Sequence, residues 1–213
     1  MYFEGDGRAW LSKNVLSNDP TPAHPLALEL ASLDPSSNVV YLARPCQYDG
    51  SAFQEPCDAS YWSNKRYSEE VIASTNEAVD ALVKEAGASG VHLVGYSGGG
   101  AVAVLVAARR TDVVSLKTVA GNLDPAAVKV YHEVSPLEGS LDPLGVASKI
   151  SKIPQRHYIG ERDDVVPSSI VQNFSRASGN DRCIKVTRVP GATHQVGWAE
   201  RWEDLLKLPV SCE

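Results

Sequence analysis

Gly95-Tyr96-Ser97-Gly98-Gly99 is the stretch of this sequence best equipped for chemistry, because it sets one hydroxyl between small residues. In a Gly-x-Ser-x-Gly turn the serine sits at the tip of a sharp strand-to-helix reversal, with a strained backbone. Residues two before and two after it must be small to avoid collision, and Gly95 and Gly99 meet that need. A serine hydroxyl is a weak nucleophile at neutral pH and requires a base, itself oriented by an acid. A chain that returns to one edge of a parallel sheet after each strand can bring such an acid and base from later loops. Glu161, Asp163 and Asp164 stand together between Gly160 and Pro167 and are the candidate acids. His194, in Gly191-Ala192-Thr193-His194, is the only one of 5 histidines beyond that segment, which makes it the candidate base. The opposing reading is a tight glycine-rich turn whose serine does nothing.

These residues meet only if strands and helices bring them together, and the pattern along the chain predicts such an order. Val91-His92-Leu93-Val94 reads as a strand leading into Ser97, and the Ala/Val-rich run through Ala108 as a buried helix leaving it. Upstream, a stub at Tyr2-Phe3-Glu4 leads to Gly5-Asp6-Gly7 and a Pro-rich loop. A helix is expected around Leu26 to Leu33 and a short strand from Asn38 to Leu42. Ala43 to Tyr67, rich in Pro, Cys and aromatic residues, is expected to form an ordered surface loop. Ser68 suits an N-cap, with Glu69 and Glu70 in the first turn, and Gly87 ends a helix whose apolar face runs through Val71, Val79 and Val83. Val113 to Val119, Arg156 to Ile159 and Ile184 to Val189 read as further strands. Ser168 to Ala177 reads as a helix, and Trp198, Trp202, Leu205 and Leu206 mark a last one that stops at Pro209.

Strands alternating with helices predict the α/β class, with a mostly parallel twisted sheet flanked by helices. Gly121 to Pro154 is the least periodic stretch. At roughly thirty residues it exceeds a usual loop and is expected to form a small cap. No repeat or linker divides the chain, so residues 1–213 are expected to make one domain.

Composition narrows the function classes. Hydrophobic residues make up 43% of the 213, enough for a sizeable core. A net charge of −6 without a basic cluster argues against a nucleic-acid partner. Lys65-Arg66 and Arg109-Arg110 read as solvated ends of elements. No apolar run approaches the roughly 20 residues that cross a bilayer. Met1-Tyr2-Phe3-Glu4-Gly5-Asp6 has neither a basic flank nor an apolar core, so it does not read as a signal peptide. No His/Cys cluster has zinc spacing, and the chemistry calls for no metal and no cofactor. His92 reads as a hydrogen-bonded sheet residue, and His24, His132 and His157 as structural or surface residues. Trp10, Tyr61 and Trp62 suit the lining of an acyl or aromatic pocket, though loop packing accounts for them equally well.

Gly95-Tyr96-Ser97-Gly98-Gly99, the Gly160-x-x-Asp163-x-x-x-Pro167 loop and Gly191-Ala192-Thr193-His194 together resemble the α/β-hydrolase superfamily, over nearly the whole chain from Phe3 onward. The resemblance implies a compact α/β-hydrolase-like fold with a minimal cap and a catalytic triad of Ser97, His194 and an acid. The family's acid usually stands three residues after the glycine and four before the proline. That selects Asp163, with Asp164 as the alternative and otherwise a cap for the following helix. Glu161 is then a solvated neighbour.

The resemblance also implies two backbone N–H donors for the oxyanion of the tetrahedral intermediate. One is that of Gly98 and the other, from the loop after the first strand, that of Asp6. Family members often carry His-Gly-x-Gly in that loop, whereas this chain has Glu4-Gly5-Asp6-Gly7. An acid at Glu4 or Asp6 would bring negative charge to a developing oxyanion unless it is turned away or paired. Many members also carry two or more strands ahead of this loop. Either this is a compact form or further sequence lies upstream.

The 4 cysteines allow three pairings if all are oxidised, and four free thiols are the alternative. In a parallel sheet Cys46 and Cys57 fall in one loop at the active-site edge. Cys183 precedes the last strand, and Cys212 follows a helix that returns to that opposite edge. The pairs Cys46–Cys57 and Cys183–Cys212 therefore need no chain crossing the protein. They imply a secreted or periplasmic protein. The expected activity is hydrolysis of a small-molecule carboxylic ester through an acyl-Ser97 intermediate. The same triad would serve a thioesterase, an amidase or a peptidase, and a non-catalytic binding domain on this fold is the remaining alternative.

Overall fold

Short β-branched runs separated by helices assemble into a six-stranded sheet in the computed structural model, which describes residues 1–12, 14–49, 57–179 and 182–212. In chain order β1 (Tyr2–Phe3) is followed by a small hairpin, β2 (Trp10–Ser12) and β3 (Val15–Leu16). Then come α1 (Leu26–Ser32), β4 (Tyr41–Leu42), α2 (Glu69–Glu85), β5 (Val91–Tyr96), α3 (Gly98–Ala107) and β6 (Val113–Val119). The chain continues through α4 (Pro125–His132), β7 (Gln155–Gly160), α5 (Ser168–Ser178), β8 (Ile184–Val189) and α6 (Trp202–Lys207). The main sheet runs β4-β1-β5-β6-β7-β8, with every described pairing parallel.

Parallel strands require helices on both faces, so the central strands are largely buried on both sides. Leu93 and Val94, neighbours on β5, point into different clusters. Leu93 meets α3 and the buried faces of α2 and α5, whereas Val94 joins α1 and α6. Every residue of α3 is buried, which explains its Ala/Val composition: a helix enclosed on all sides has no polar face. On the other face Trp202 packs edge-on against Tyr2 and Tyr158, and its indole N–H donates to Tyr2 Oη at 3.2 Å. Truncating Trp202 to alanine should cost about 3–5 kcal/mol.

The elements differ from expectation where pairing or charge overrides local pattern. The strand expected from Asn38 shortens to Tyr41–Leu42, because only Tyr2 and Phe3 lie opposite it. The β2–β3 hairpin, too short to leave a periodic signal, was not expected. The stretch from 121 to 154 includes α4, capped by the Asp124 carboxylate, which accepts from Ala127 N–H at 3.0 Å. Leu123, Ala147 and Ile150 anchor this stretch in the core cluster shared by α3 and α5. Arg66 and Arg110 are not solvated. Arg66 reaches Asp6 at 2.7 Å, and Arg110 reaches Asp80 at 2.5 Å and Asp112 at 2.7 Å.

Cys46 is bonded to Cys57 and Cys183 to Cys212, two pairs that suit an oxidising environment. Among the described residues no helix is long and apolar enough to cross a membrane.

Candidate active site

β5 delivers Ser97 to the carboxyl edge of the sheet, where α3 begins at once. The reversal forces Ser97 to φ 50° and ψ −120°, a conformation that side chains rarely adopt. Three backbone bonds hold it: Ser97 N–H donates to Val119 O, and Ser97 O accepts from Gly100 and Asn122, each at 2.9 Å. A Cβ on Gly95 would collide with the backbone of Gly99 and Gly100, and one on Gly99 with the backbone of Phe3 and Glu4. The small residues of the motif thus let strand and helix close on each other.

The loops after β7 and β8 bring Asp163 and His194 to the same edge. His194 Nε2 lies 2.9 Å from Ser97 Oγ, and His194 Nδ1 lies 3.0 and 3.2 Å from the two Asp163 oxygens. Asp163 Oδ1 also accepts from the N–H groups of Val165 and Val166, at 2.9 and 2.8 Å. Its side chain is 1% exposed and that of His194 11%, so the acid is sequestered and the imidazole opens on the cleft. Backbone bonds tie the two loops together: Arg162 N–H donates to Ala192 O at 2.8 Å and Glu161 N–H to Val189 O at 3.1 Å. Trp198 supplies a further clamp, its indole N–H shared between the carbonyls of Thr193 and His194. Asp164 is exposed and does not cap α5, which starts at Ser168 after Pro167 without a side-chain cap. Glu161 accepts from Gly191 N–H at 2.8 Å and so braces the histidine loop.

Residues 4–7 face Ser97 from the opposite side. Glu4 is 1% exposed; its carboxylate accepts from Gly5 N–H at 2.8 Å and from Tyr41 Oη at 3.1 Å. Burial pushes the Glu4 carboxyl above its ordinary range. Gly5 O accepts from Gln47 Nε2 at 3.1 Å. A trans peptide opposes its N–H to its C=O, so the Asp6 N–H points away from Gln47. Neither the Asp6 nor the Gly98 N–H meets a protein acceptor among the described residues.

The Asp6 carboxylate occupies the space a Gly98 Cβ would fill. Its Oδ1 accepts from Arg44 at 2.9 Å and its Oδ2 from Arg66 at 2.7 Å and Tyr67 Oη at 3.2 Å. Burial alone would raise this carboxyl, but the two guanidinium groups hold it below the ordinary carboxylate range.

An open cleft of about 460 Å³ lies over Ser97, with Trp10, Pro22, His24, Arg66, Val165 and Gln195 among its walls. None of its described lining residues comes from the 121–154 stretch. Trp10 is exposed on that wall, whereas Trp62 is buried beside Ala9 and Cys46, with Tyr61 packed against the group. The other histidines have local partners or lie at the rim. His92 bonds Ser115 at 2.7 Å, His157 bonds Thr118 at 2.8 Å, His132 bonds Val165 O at 2.7 Å, and His24 is exposed beside the cleft. Among the described residues no three His, Cys, Asp or Glu side chains are grouped to hold a metal.

Arg44, Gln47, Arg66 and Tyr67 were not anticipated as part of this region. They act on residues 38 to 61 positions away, and no periodicity marks such contacts. The one available signal was the pair of acids in Glu4-Gly5-Asp6-Gly7, which demanded partners.

No family model matches this chain, and neither does any curated protein. Solved structures do match. An esterase from Pyrococcus furiosus superimposes with TM-score 0.55 at 16% identity, over 67% of this chain and 63% of the esterase. A puromycin hydrolase gives 0.54 at 18% identity, over 67% of this chain and 24% of that one. A Thermus thermophilus protein gives 0.51 at 16%, over 64% of this chain and 59% of its own. The chain thus spans less than two thirds of each of these proteins. Strand order, helices on both faces and these superpositions agree: the chain has the α/β-hydrolase fold.

Proposed function

We propose that this protein is a serine hydrolase that cleaves small carboxylic esters through an acyl-Ser97 intermediate. The observation that carries the reading is the hydrogen-bonded series Ser97 Oγ, His194 Nε2, His194 Nδ1 and Asp163, headed by a serine at positive φ. With Nδ1–H donating to Asp163, Nε2 is free to accept the Ser97 proton. As it does so, Oγ bonds to the ester carbonyl carbon and the carbonyl π pair moves onto oxygen. The N–H groups of Gly98 and Asp6 hold that oxyanion. Collapse re-forms the carbonyl and breaks the bond to the alkoxy oxygen, which leaves as the alcohol with the proton from His194. Water then attacks the acyl carbon, giving its proton to His194, and a second collapse releases the carboxylic acid and returns the proton to Ser97.

An alkoxide is an easier leaving group than an amide nitrogen, and the open cleft admits a small ester without a long acyl tunnel. The esterase and the puromycin hydrolase among the structural matches are consistent with hydrolytic chemistry on this fold. The two cysteine pairs support a secreted or periplasmic location, since cytosolic thiols stay reduced.

The test is labelling with a fluorophosphonate probe, together with hydrolysis of p-nitrophenyl esters of increasing acyl length. Wild-type protein should label on Ser97, and Ser97→Ala and His194→Ala should not. A well-folded wild type that neither labels nor hydrolyses any ester would overturn the reading.

A further inference from the structure

Asp6 carries a conflict at the proposed oxyanion site. Its N–H is one proposed donor, yet its carboxylate lies against Gly98, which supplies the other. An unpaired negative charge there would oppose the developing oxyanion, in a region where water screens poorly. Each Asp6 oxygen, however, faces its own guanidinium, Arg44 on Oδ1 and Arg66 on Oδ2. Two cations around one carboxylate leave the group with a net positive charge.

The two arginines are themselves fixed. Arg44 is 6% exposed at its side chain, lies over the Tyr67 ring at 5.4 Å and bonds the Arg66 carbonyl through Nη2. Arg66 Nε donates to Ser63 O at 2.7 Å. Among the described residues the buried Arg44 Nε has no acceptor, a cost that packing alone gives no reason to keep. Arg66 reaches the cleft wall, and Arg44 stands behind it.

We infer that Arg44 and Arg66 are positioning residues for the hydrolytic reaction, turning the Asp6 carboxylate from a charge that repels the oxyanion into the anchor of its binding loop. The role rests on the reading of Ser97 as nucleophile with Gly98 and Asp6 as donors. It makes a distinctive demand: the damage done by removing an arginine comes from the carboxylate left bare, so removing that charge as well must repair it.

The experiment is a double-mutant cycle on the full chain, with melting temperature checked for each variant. Arg66→Ala should lower kcat on a p-nitrophenyl ester about 10- to 100-fold, with KM changed less than about threefold, because the lost interaction belongs to the transition state. Fluorophosphonate labelling should slow in parallel. Asp6→Asn/Arg66→Ala should recover to within about fivefold of wild type, an interaction of the kind such cycles isolate. Arg66→Lys and Arg66→Gln guard against misfolding, because both keep a polar chain and only the first keeps the charge; activity should follow the charge. Losses that multiply in the double variant, or equal activity of the Lys and Gln variants, would overturn the inference while an active wild type left the serine-hydrolase reading standing. A folded wild type inert to both probes would overturn the two together.

Discussion

On one side of Ser97, Asp163 and His194 hang from loops that follow adjacent strands and are joined by backbone hydrogen bonds. On the other, residues 4–7 are held largely by side chains: Tyr41, Arg44, Gln47, Arg66 and Tyr67. The first side inherits its geometry from the sheet, so substitutions around it should leave the loops in place. The second depends on charges and on the segments around Cys46 and Cys57, which a disulfide joins. Substrate would lie between a wall set by main-chain register and a wall set by electrostatics. The two should fail differently.

The largest effect is expected on the backbone-built side. Asp163→Asn should cut kcat by about 10³- to 10⁴-fold by destroying the His194 tautomer. Asp164→Asn should stay within about twofold. Steady-state kinetics on both variants, with unchanged melting curves, would separate the two acids. Equal losses would break the assignment of Asp163.

The disulfides come next, because each staples a different part of the molecule. Loop-closure entropy suggests about 3 kcal/mol of stability for Cys46–Cys57, 11 residues apart, and about 4 kcal/mol for Cys183–Cys212, 29 apart. Cys46→Ser/Cys57→Ser should also lower kcat, about tenfold, by loosening the loop that carries Arg44. Cys183→Ser/Cys212→Ser should lower only the melting temperature. Denaturant melts paired with kinetics read both, and a kcat loss confined to the second pair would reverse the comparison.

Gly98→Ala is a finer probe of the charge-built side. Its methyl group would push on the Asp6 carboxylate, so kcat should fall about three- to tenfold, with a loss of stability as the buried ion pairs shift. A variant as fast as wild type would show that Asp6 yields without consequence.

The smallest effect on catalysis lies outside the cleft. Burial lowers His157 from 6.5 to about 3, so it stays neutral in the fold. Below pH 6.5 the unfolded chain takes up a proton the folded protein refuses, so stability is full above that value and declines as pH falls toward 3. The expected slope is up to about 1.4 kcal/mol per pH unit from this residue. Urea melts between pH 4 and 7 should show that slope, and His157→Gln should lose it without changing ester kinetics at neutral pH.

Legibility in the sequence followed the same division. The turn at Ser97 was readable because sterics around a strained serine act over four residues, and Gly95 and Gly99 are local consequences of it. His194 and the acid-bearing loop after Gly160 could be proposed from a distance because parallel β/α order returns the chain to one edge after each strand, and the family resemblance chose Asp163 within that loop. The cysteine pairs followed from that same order. The arginine pair did not. Arg66 looked like the solvated end of an element, since nothing local separates a solvated arginine from one aimed at an acid 60 residues away.

By itself, then, the sequence determined a parallel α/β sheet and the small-residue turn at Ser97, because both arise from short-range sterics and strand periodicity. Only the tertiary structure decided how Glu4 and Asp6 could sit beside a proposed oxyanion site. The Asp6 carboxylate is met by two cations, Arg44 and Arg66, and the Glu4 carboxyl by Tyr41, and a buried charge finds its partner through space rather than along the chain.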